Sequence, residues 1–220
     1  MVDIFDEVDE ELRAESAQRL LKRYAGVIVA GALVVVGAVA GWQGWQYWQA
    51  KQDAVAASAF VAAATVADST PAPDTATRGN LIKTFDALAS SAPEGYRTLA
   101  RLRAAALKAD AGDMAGAAAL WDQVAGDGAV DPLLRDLAIL MWAQRQIDRG
   151  DPARLEARLK PLTEPGNAWR TLAQEQLALL DMRQGHADAA RTALRKLSQD
   201  VTAPAGVRSR ATALLSRLGA

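Results

Sequence analysis

The stretch GDMAGAAALW, residues 112–121, decides the fold because related stretches return twice further along the chain. They read GDPARLEARL at residues 150–159 and GHADAARTAL at residues 185–194. Each begins with a glycine, has a small or apolar residue five positions later, and ends on a bulky apolar residue nine positions later. A glycine that separates two amphipathic runs favours a turn between two helices. The sequence therefore predicts an all-α fold of consecutive helical pairs.

The repeat extends upstream of each glycine, where a small residue stands seven positions earlier. Small residues allow paired helices to approach closely, and the bulky residue fills the groove of a neighbouring helix. With turn glycines spaced 38 and 35 residues apart, the pattern resembles the tetratricopeptide repeat, with Leu155 in place of the usual alanine. The positions that define the repeats are Ala105, Gly112, Ala117, Trp121, Ala143, Gly150, Leu159, Ala178, Gly185, Ala190 and Leu194.

Helix-start signals follow the three turns. Asp113 and Asp151 come directly after a turn glycine and are expected to cap the second helix of each pair, with Pro152 at a first helical position. His186 takes the same place in the third turn, where we expect a turn or capping residue. The carboxylates on these helices form no acid–base pair at a fixed spacing, so no catalytic residue is predicted.

The segments on either side of the repeats have their own boundaries. Residues 52–66 are predicted to form a helix, and residues 67–79 an extended loop because they contain two prolines. Residues 81–90 are predicted to form a helix capped by Asn80. Residues 204–218 are predicted to form a last helix that closes the stack, as terminal units do in repeat proteins.

Composition excludes several classes of protein. The chain has 25 basic and 26 acidic residues, a formal net charge of −1, whereas nucleic-acid-binding proteins usually show a basic face. It has no cysteine, which excludes disulfides, thiolate metal sites and cysteine nucleophiles. Its single histidine excludes a histidine-based metal cluster. We therefore predict a non-enzymatic protein with no cofactor, no metal, no nucleic acid and no small-molecule substrate.

A charge-free stretch near the N-terminus, residues 24–50, predicts a membrane-spanning helix. Its apolar part, residues 25–41, contains eight valine, leucine or isoleucine residues, five alanines and four glycines. With Trp42 added, this part makes about 27 Å of helix, close to the ~30 Å thickness of a hydrocarbon core.

Charge asymmetry orients the span. Four basic residues precede it, whereas Lys51 stands alone after it, so the positive-inside rule places the N-terminus in the cytoplasm. The four are Arg13, Arg19, Lys22 and Arg23. Aromatic side chains suit the two membrane boundaries, and those expected to anchor the helix are Tyr24, Trp42, Trp45, Tyr47 and Trp48.

Two short motifs lie within the span. Gly37 and Gly41 form a GxxxG pattern and are a candidate helix–helix contact. Residues 38–40 have the A-x-A form that a signal peptidase accepts, which keeps cleavage after Ala40 as an alternative. The long acidic segment before the span and the aromatic residues after it favour an uncleaved signal anchor.

These observations predict three parts. Residues 1–23 form an acidic cytoplasmic tail, and residues 24–48 form the signal-anchor helix with its aromatic belt. Residues 49–220 form a tetratricopeptide-like solenoid outside the cytoplasm, in the periplasm of a bacterium. It comprises an irregular first unit to about residue 93, degenerate repeats over about 94–200, and a capping helix over about 204–218.

The whole arrangement resembles the ancillary Sec translocon subunits of the YfgM type. The resemblance rests on the acidic-then-basic N-terminus at residues 9–23, the boundary sequence GWQYW at residues 44–48, and the turn at residues 112–113 with its two alanines at residues 117–118. It implies an inner-membrane protein that associates with the SecYEG channel and with a membrane-anchored periplasmic chaperone of the peptidyl-prolyl isomerase type. Such a subunit would help translocated envelope proteins to fold. The same anchor and repeats would also suit an alternative, a scaffold for cell division or cell-wall assembly.

Overall fold

A computed structural model describes the backbone of residues 4–69 and 73–219, and the side chains of residues 23–27, 29–69 and 73–219. Over these ranges the chain forms nine α-helices and a short 3-10 helix, without strands, and this confirms the predicted all-α class. The α-helices are α1 (Ile4–Ser69), α2 (Thr75–Ser91), α3 (Glu94–Asp110), α4 (Met114–Gly126), α5 (Pro132–Gln146), α6 (Pro152–Leu159), α7 (Arg170–Arg183), α8 (Ala187–Gln199) and α9 (Ala205–Arg217). The 3-10 helix is Lys160–Thr163 and follows α6 directly.

The chain divides into two compact units, Met1–Gln52 and Asp53–Ala220. In the first unit, the described valine and leucine side chains between residues 27 and 39 are all exposed. By length and composition, the part of α1 that begins at Arg23 could cross a membrane. The side chains of the predicted acidic tail before it lie outside the described residues, apart from Arg23.

The second unit is a stack of helical pairs. The pairs α3–α4, α5–α6 and α7–α8 follow one another, and α9 packs against both helices of the last pair. The first helix of each pair also contacts the first helix of the next, which produces a row of α3, α5, α7 and α9. The core between the pairs contains the fully buried Trp121, Leu155 and Leu159.

The turns explain why glycine and aspartate recur at these positions. Gly112 and Gly185 have φ angles of 87° and 79°, a left-handed conformation that side chains disfavour. Gly150 is required for a different reason, since a Cβ there would lie 2.8 Å from the carbonyl oxygen of Gln146. The predicted caps are confirmed, because Asp113 accepts a hydrogen bond from the amide of Gly116 and Asp151 one from the amide of Arg154.

His186 takes the turn and helix-start position predicted for it. It lies at the N-cap position of α8, but its side chain makes no capping hydrogen bond to that helix. Its Nδ1 atom lies 3.4 Å from a carboxylate oxygen of Asp181 instead. The residue therefore belongs to the turn and caps α8 with its backbone carbonyl alone, which accepts from the amide of Ala190.

Two predicted boundaries before the repeats are wrong. Helix α1 continues to Ser69 and α2 begins at Thr75, so residues 67–69 and 75–79 of the loop predicted at 67–79 are helical. Asp74 caps α2, since its carboxylate accepts from the amide of Thr77 at 2.7 Å and this bond lowers the pKa of Asp74. Asn80 consequently lies inside α2. Residues 70–72, with Pro71, lie outside the described residues.

Residues 53–69 of α1 pack on α2. The ring of Phe60 meets the fully buried Phe85 edge-on, with centroids 5.6 Å apart. Ala63 and Leu81 complete this small core, which α3 extends through Ala100 and Ala104. Residues 53–69 of α1 and helix α2 therefore belong to the same second unit as the repeats.

Candidate protein-binding groove

The row of first helices opens into a groove where α9 meets α7 and α5. Its volume is about 660 Å³. We call it the α9-side groove, and its walls come from one residue of α5, four of α7 and four of α9. They are Gln144, Leu172, Glu175, Gln176, Leu179, Arg210, Ala213, Leu214 and Arg217.

Helix α7 forms the floor of this groove and is the most enclosed helix of the stack. It contacts α5, α6, α8, α9 and the 3-10 helix, and none of its residues is exposed. Among the described side chains, only four polar or charged residues are buried, and three of them are on α7. These are Thr171, Glu175 and Gln176. Polar groups are costly to bury, so their concentration on one helix calls for partners.

Glu175 has its partner across the groove. Its two carboxylate oxygens accept from Nε and Nη2 of Arg210 at 2.6 and 2.7 Å, a bidentate pair. The Glu175 side chain is 4% exposed, whereas the Arg210 side chain is 55% exposed. The hydrogen bond to Glu175 raises the pKa of Arg210. Glu175 therefore fixes the guanidinium of Arg210 at the rim, with three of its five N–H groups left for other acceptors.

Gln176 has no such partner. The residue is 7% exposed, and its Oε1 atom is buried without a hydrogen bond. A buried acceptor left unpaired costs about 1–3 kcal/mol relative to a satisfied one. Rotation of the terminal amide exchanges its oxygen and nitrogen, so the group is able to offer either one to the groove. An unpaired amide in the wall of an open groove is a group that a bound chain would satisfy.

The remaining walls combine apolar surface with positive charge. Leu172, Leu179 and Leu214 supply the apolar part. Arg217 is exposed at the rim and makes no ion pair within the described residues. With Glu175 paired to Arg210, the groove carries one net positive charge from its three ionised side chains.

A second groove lies on the opposite side of α7, against α8, and has a similar volume of about 670 Å³. Apart from the exposed Lys196, its charged residues are two aspartates and an arginine that are already paired, and none of its described buried side-chain polar atoms lacks a hydrogen bond. Arg170 donates to Asp200 and Thr202 at 3.0 Å, and Asp188 accepts from Arg191. The hydrogen bonds from the hydroxyl and the amide of Thr202 lower the pKa of Asp200. Neither size nor an exposed cation separates the two grooves, since Lys196 and Arg217 each supply one, but the unpaired buried oxygen of Gln176 favours the α9-side groove.

The residues predicted to define the repeats lie beneath these grooves. All eight of the non-glycine positions are fully buried, and none lines either groove. They position the helices whose other faces form the walls. The described residues place no group of three or more histidine or carboxylate side chains where they could hold a metal ion. The sequence patterns do not predict four residues of the α9-side groove, because these positions follow neither the turn motif nor a motif within one helix; they are Glu175, Gln176, Arg210 and Arg217.

The predicted membrane anchors lie in the first unit. Tyr24, Trp42, Trp45, Tyr47 and Trp48 are between 49% and 75% exposed, and the rings of Trp45 and Trp48 lie 5.6 Å apart. At Gly37 and Gly41, an added Cβ would meet no described atom within 4 Å. That helix face is therefore open, as a helix–helix contact between two chains would need.

Comparison with known proteins gives one match. A sequence model of the tetratricopeptide repeat-like domain matches residues 18–138, more than half of the chain. No curated protein and no solved structure matches the chain. The matched residues extend from the apolar helix to α5, so the α9-side groove is built mainly from helices beyond them.

Proposed function

This chain belongs to the tetratricopeptide repeat-like domain family, and on that premise we propose that it is a membrane-anchored scaffold that binds other proteins and catalyses no reaction. Stacked helical pairs are typical of binding surfaces, since the stacking presents one long face to a partner. The observation that carries the proposal is the α9-side groove, where a buried amide stays unpaired beside an arginine fixed at the rim.

We propose that three segments of the chain have separate roles, as the sequence predicts. Residues 1–23 form a cytoplasmic tail, residues 24–48 an uncleaved anchor, and residues 49–220 the binding part outside the cytoplasm. The asymmetry of basic residues around the span and its aromatic boundaries support this arrangement. An anchor keeps the binding part near a membrane-embedded partner, so a modest intrinsic affinity is sufficient.

We further propose that the partners are the SecYEG channel and a membrane-anchored periplasmic chaperone of the peptidyl-prolyl isomerase type, in the inner membrane of a bacterium. The support is the resemblance to ancillary translocon subunits at residues 9–23 and 44–48. In this role the protein holds newly translocated envelope proteins near the channel exit while they fold.

The test is a pull-down of the full-length protein from its own membranes in mild detergent, with partners identified by mass spectrometry. We expect channel subunits together with a periplasmic chaperone. A matched protein, with residues 24–48 replaced by an unrelated leucine-rich span and unchanged flanks, should recover the same chaperone. Recovery of division or cell-wall proteins without the channel would refute the translocon proposal. Recovery of no partner by either protein would refute the scaffold proposal itself.

A further inference from the structure

The exposed positive charge of the α9-side groove has a defined spacing. Arg210 and Arg217 are both exposed and lie seven residues apart on α9, which places them on one face, about 10.5 Å apart along the helix axis. Leu214 lies between them on the same face and lines the groove. The α9 wall therefore presents an arginine, a leucine and a second arginine in a line.

Most other basic groups in this part of the chain are already engaged. Seven basic residues follow Met182, and four of them donate to internal acceptors. Arg183 donates to the carbonyls of Ile147 and Gly150, Arg191 to Asp188 and Leu218, Arg208 to Ala203, and Arg210 to Glu175. Of the other three, Arg217 is the one that lines the α9-side groove. The guanidinium of Arg217 has no ion pair within the described residues. Together with the outer N–H groups of Arg210, it marks where the negative charge of a bound partner would be held.

An extended polypeptide matches this spacing. Chain in the extended polyproline II conformation advances about 3.1 Å per residue with three residues per turn, so residues three positions apart lie on one face, about 9.3 Å apart. Two acidic side chains three positions apart would reach Arg210 and Arg217. The residues between them would meet Leu172, Leu179 and Leu214, and a backbone N–H of the segment would bond the oxygen of Gln176 once rotation of its amide has turned that oxygen toward the groove.

We propose that the α9-side groove binds an extended internal segment of another polypeptide, in which two acidic residues about three positions apart flank apolar residues. This inference rests on the proposed scaffold function and names the chemistry of its partner. The acidic side chains pair with Arg210 and Arg217, and the backbone pairs with Gln176. A free C-terminal carboxylate is not required, since both arginines are matched by side chains.

The test uses full-length protein in lipid nanodiscs and fluorescent peptides that are blocked at both ends. One peptide places two glutamates around leucine and valine, and its control has glutamines in place of the glutamates. Anisotropy should show about hundredfold tighter binding of the glutamate peptide, since it makes two charge-assisted pairs and each is worth about a factor of ten. The difference should shrink as salt is raised from 50 to 300 mM.

Three variants locate the binding. Arg217→Gln should weaken binding of the glutamate peptide about tenfold, whereas Arg195→Gln, which removes an exposed charge of α8 outside the groove, should leave it unchanged. Gln176→Leu should weaken binding of both peptides several-fold without lowering the melting temperature. That variant separates loss of the site from loss of the fold.

Each contrary result would refute a specific part of the proposed peptide site. Equal affinity for the two peptides, or equal losses with Arg217→Gln and Arg195→Gln, would refute the charge pairing in this groove. Unchanged binding by Gln176→Leu would refute the role of the amide. If no peptide binds while the pull-down still recovers protein partners, this inference is wrong and the scaffold function stands.

Discussion

The two sides of α7 have grooves of almost equal volume, yet they differ in how their polar groups are satisfied. On the α8 side, Arg170 is bonded to Asp200 and Thr202. On the α9 side, Arg210 is bonded to Glu175, but the amide oxygen of Gln176 is unpaired and Arg217 is exposed. Lys196 on the α8 side is also exposed, so the two grooves differ chiefly in the unpaired buried oxygen of Gln176. Unsatisfied buried polarity, more than cavity size, therefore distinguishes the two sides of α7.

The largest expected difference between the two sides concerns their ion pairs. Arg210→Gln leaves the carboxylate of Glu175 buried without its cationic partner, and this should cost about 3 kcal/mol of unfolding free energy. Arg170→Gln should cost less, because Asp200 keeps its two hydrogen bonds from Thr202. Urea unfolding followed by circular dichroism measures both. A larger loss for Arg170→Gln would reverse the comparison.

Replacing a glutamine of α7 should change the unfolding free energy by less than Arg210→Gln does, and with the opposite sign. Gln176→Leu removes the unpaired buried oxygen and should raise the unfolding free energy by about 1 kcal/mol. Gln174 lines the other groove, two positions earlier on the same helix, and is partly exposed. Gln174→Leu should therefore change stability by less than Gln176→Leu does. A destabilised Gln176→Leu variant would show that the amide is satisfied inside the folded chain.

The smallest expected effect is the pH dependence of stability that arises from Asp200, on the α8 side of α7. The pKa of Asp200 is lowered in the folded state by its hydrogen bonds from Thr202 and by Arg170. Its contribution to stability is therefore complete above the pKa of an unfolded aspartate and is lost as pH falls through the lower, folded pKa. Asp200→Asn should flatten the acid side of the stability profile, measured by the urea midpoint between pH 2 and 6. An unchanged slope would contradict this assignment.

The same comparison shows what the sequence could predict. Glycine turns, aspartate caps and small residues act over a few positions, so the helical pairs from Gly112 to Leu194 follow directly from spacing. The walls of the α9-side groove depend on contacts between neighbouring pairs. Glu175 and Arg210 lie 35 residues apart, which matches the repeat spacing, and Arg145–Asp110 and Arg103–Asp68 bond over the same separation.

A search for opposite charges one repeat apart would therefore have found Glu175 and Arg210, whereas a search within single helices could not. The unpaired state of Gln176 is different in kind. It depends on how closely α5 and α9 approach α7, and no local pattern encodes that distance. The early start of α2 was not predicted because Asp74 and Asn80 are both acceptable caps, and in the folded chain it is Asp74 that bonds the amide of Thr77.

The most direct test of the central claim is photocrosslinking in living cells from matched positions on the two sides of α7. Ala213 and Ala189 are both exposed alanines, one in the α9-side groove and one in the groove against α8. A benzophenone amino acid placed at either position should leave the fold intact. We expect strong adducts with other proteins from position 213 and few from position 189. Adducts from position 189 alone would contradict the claim.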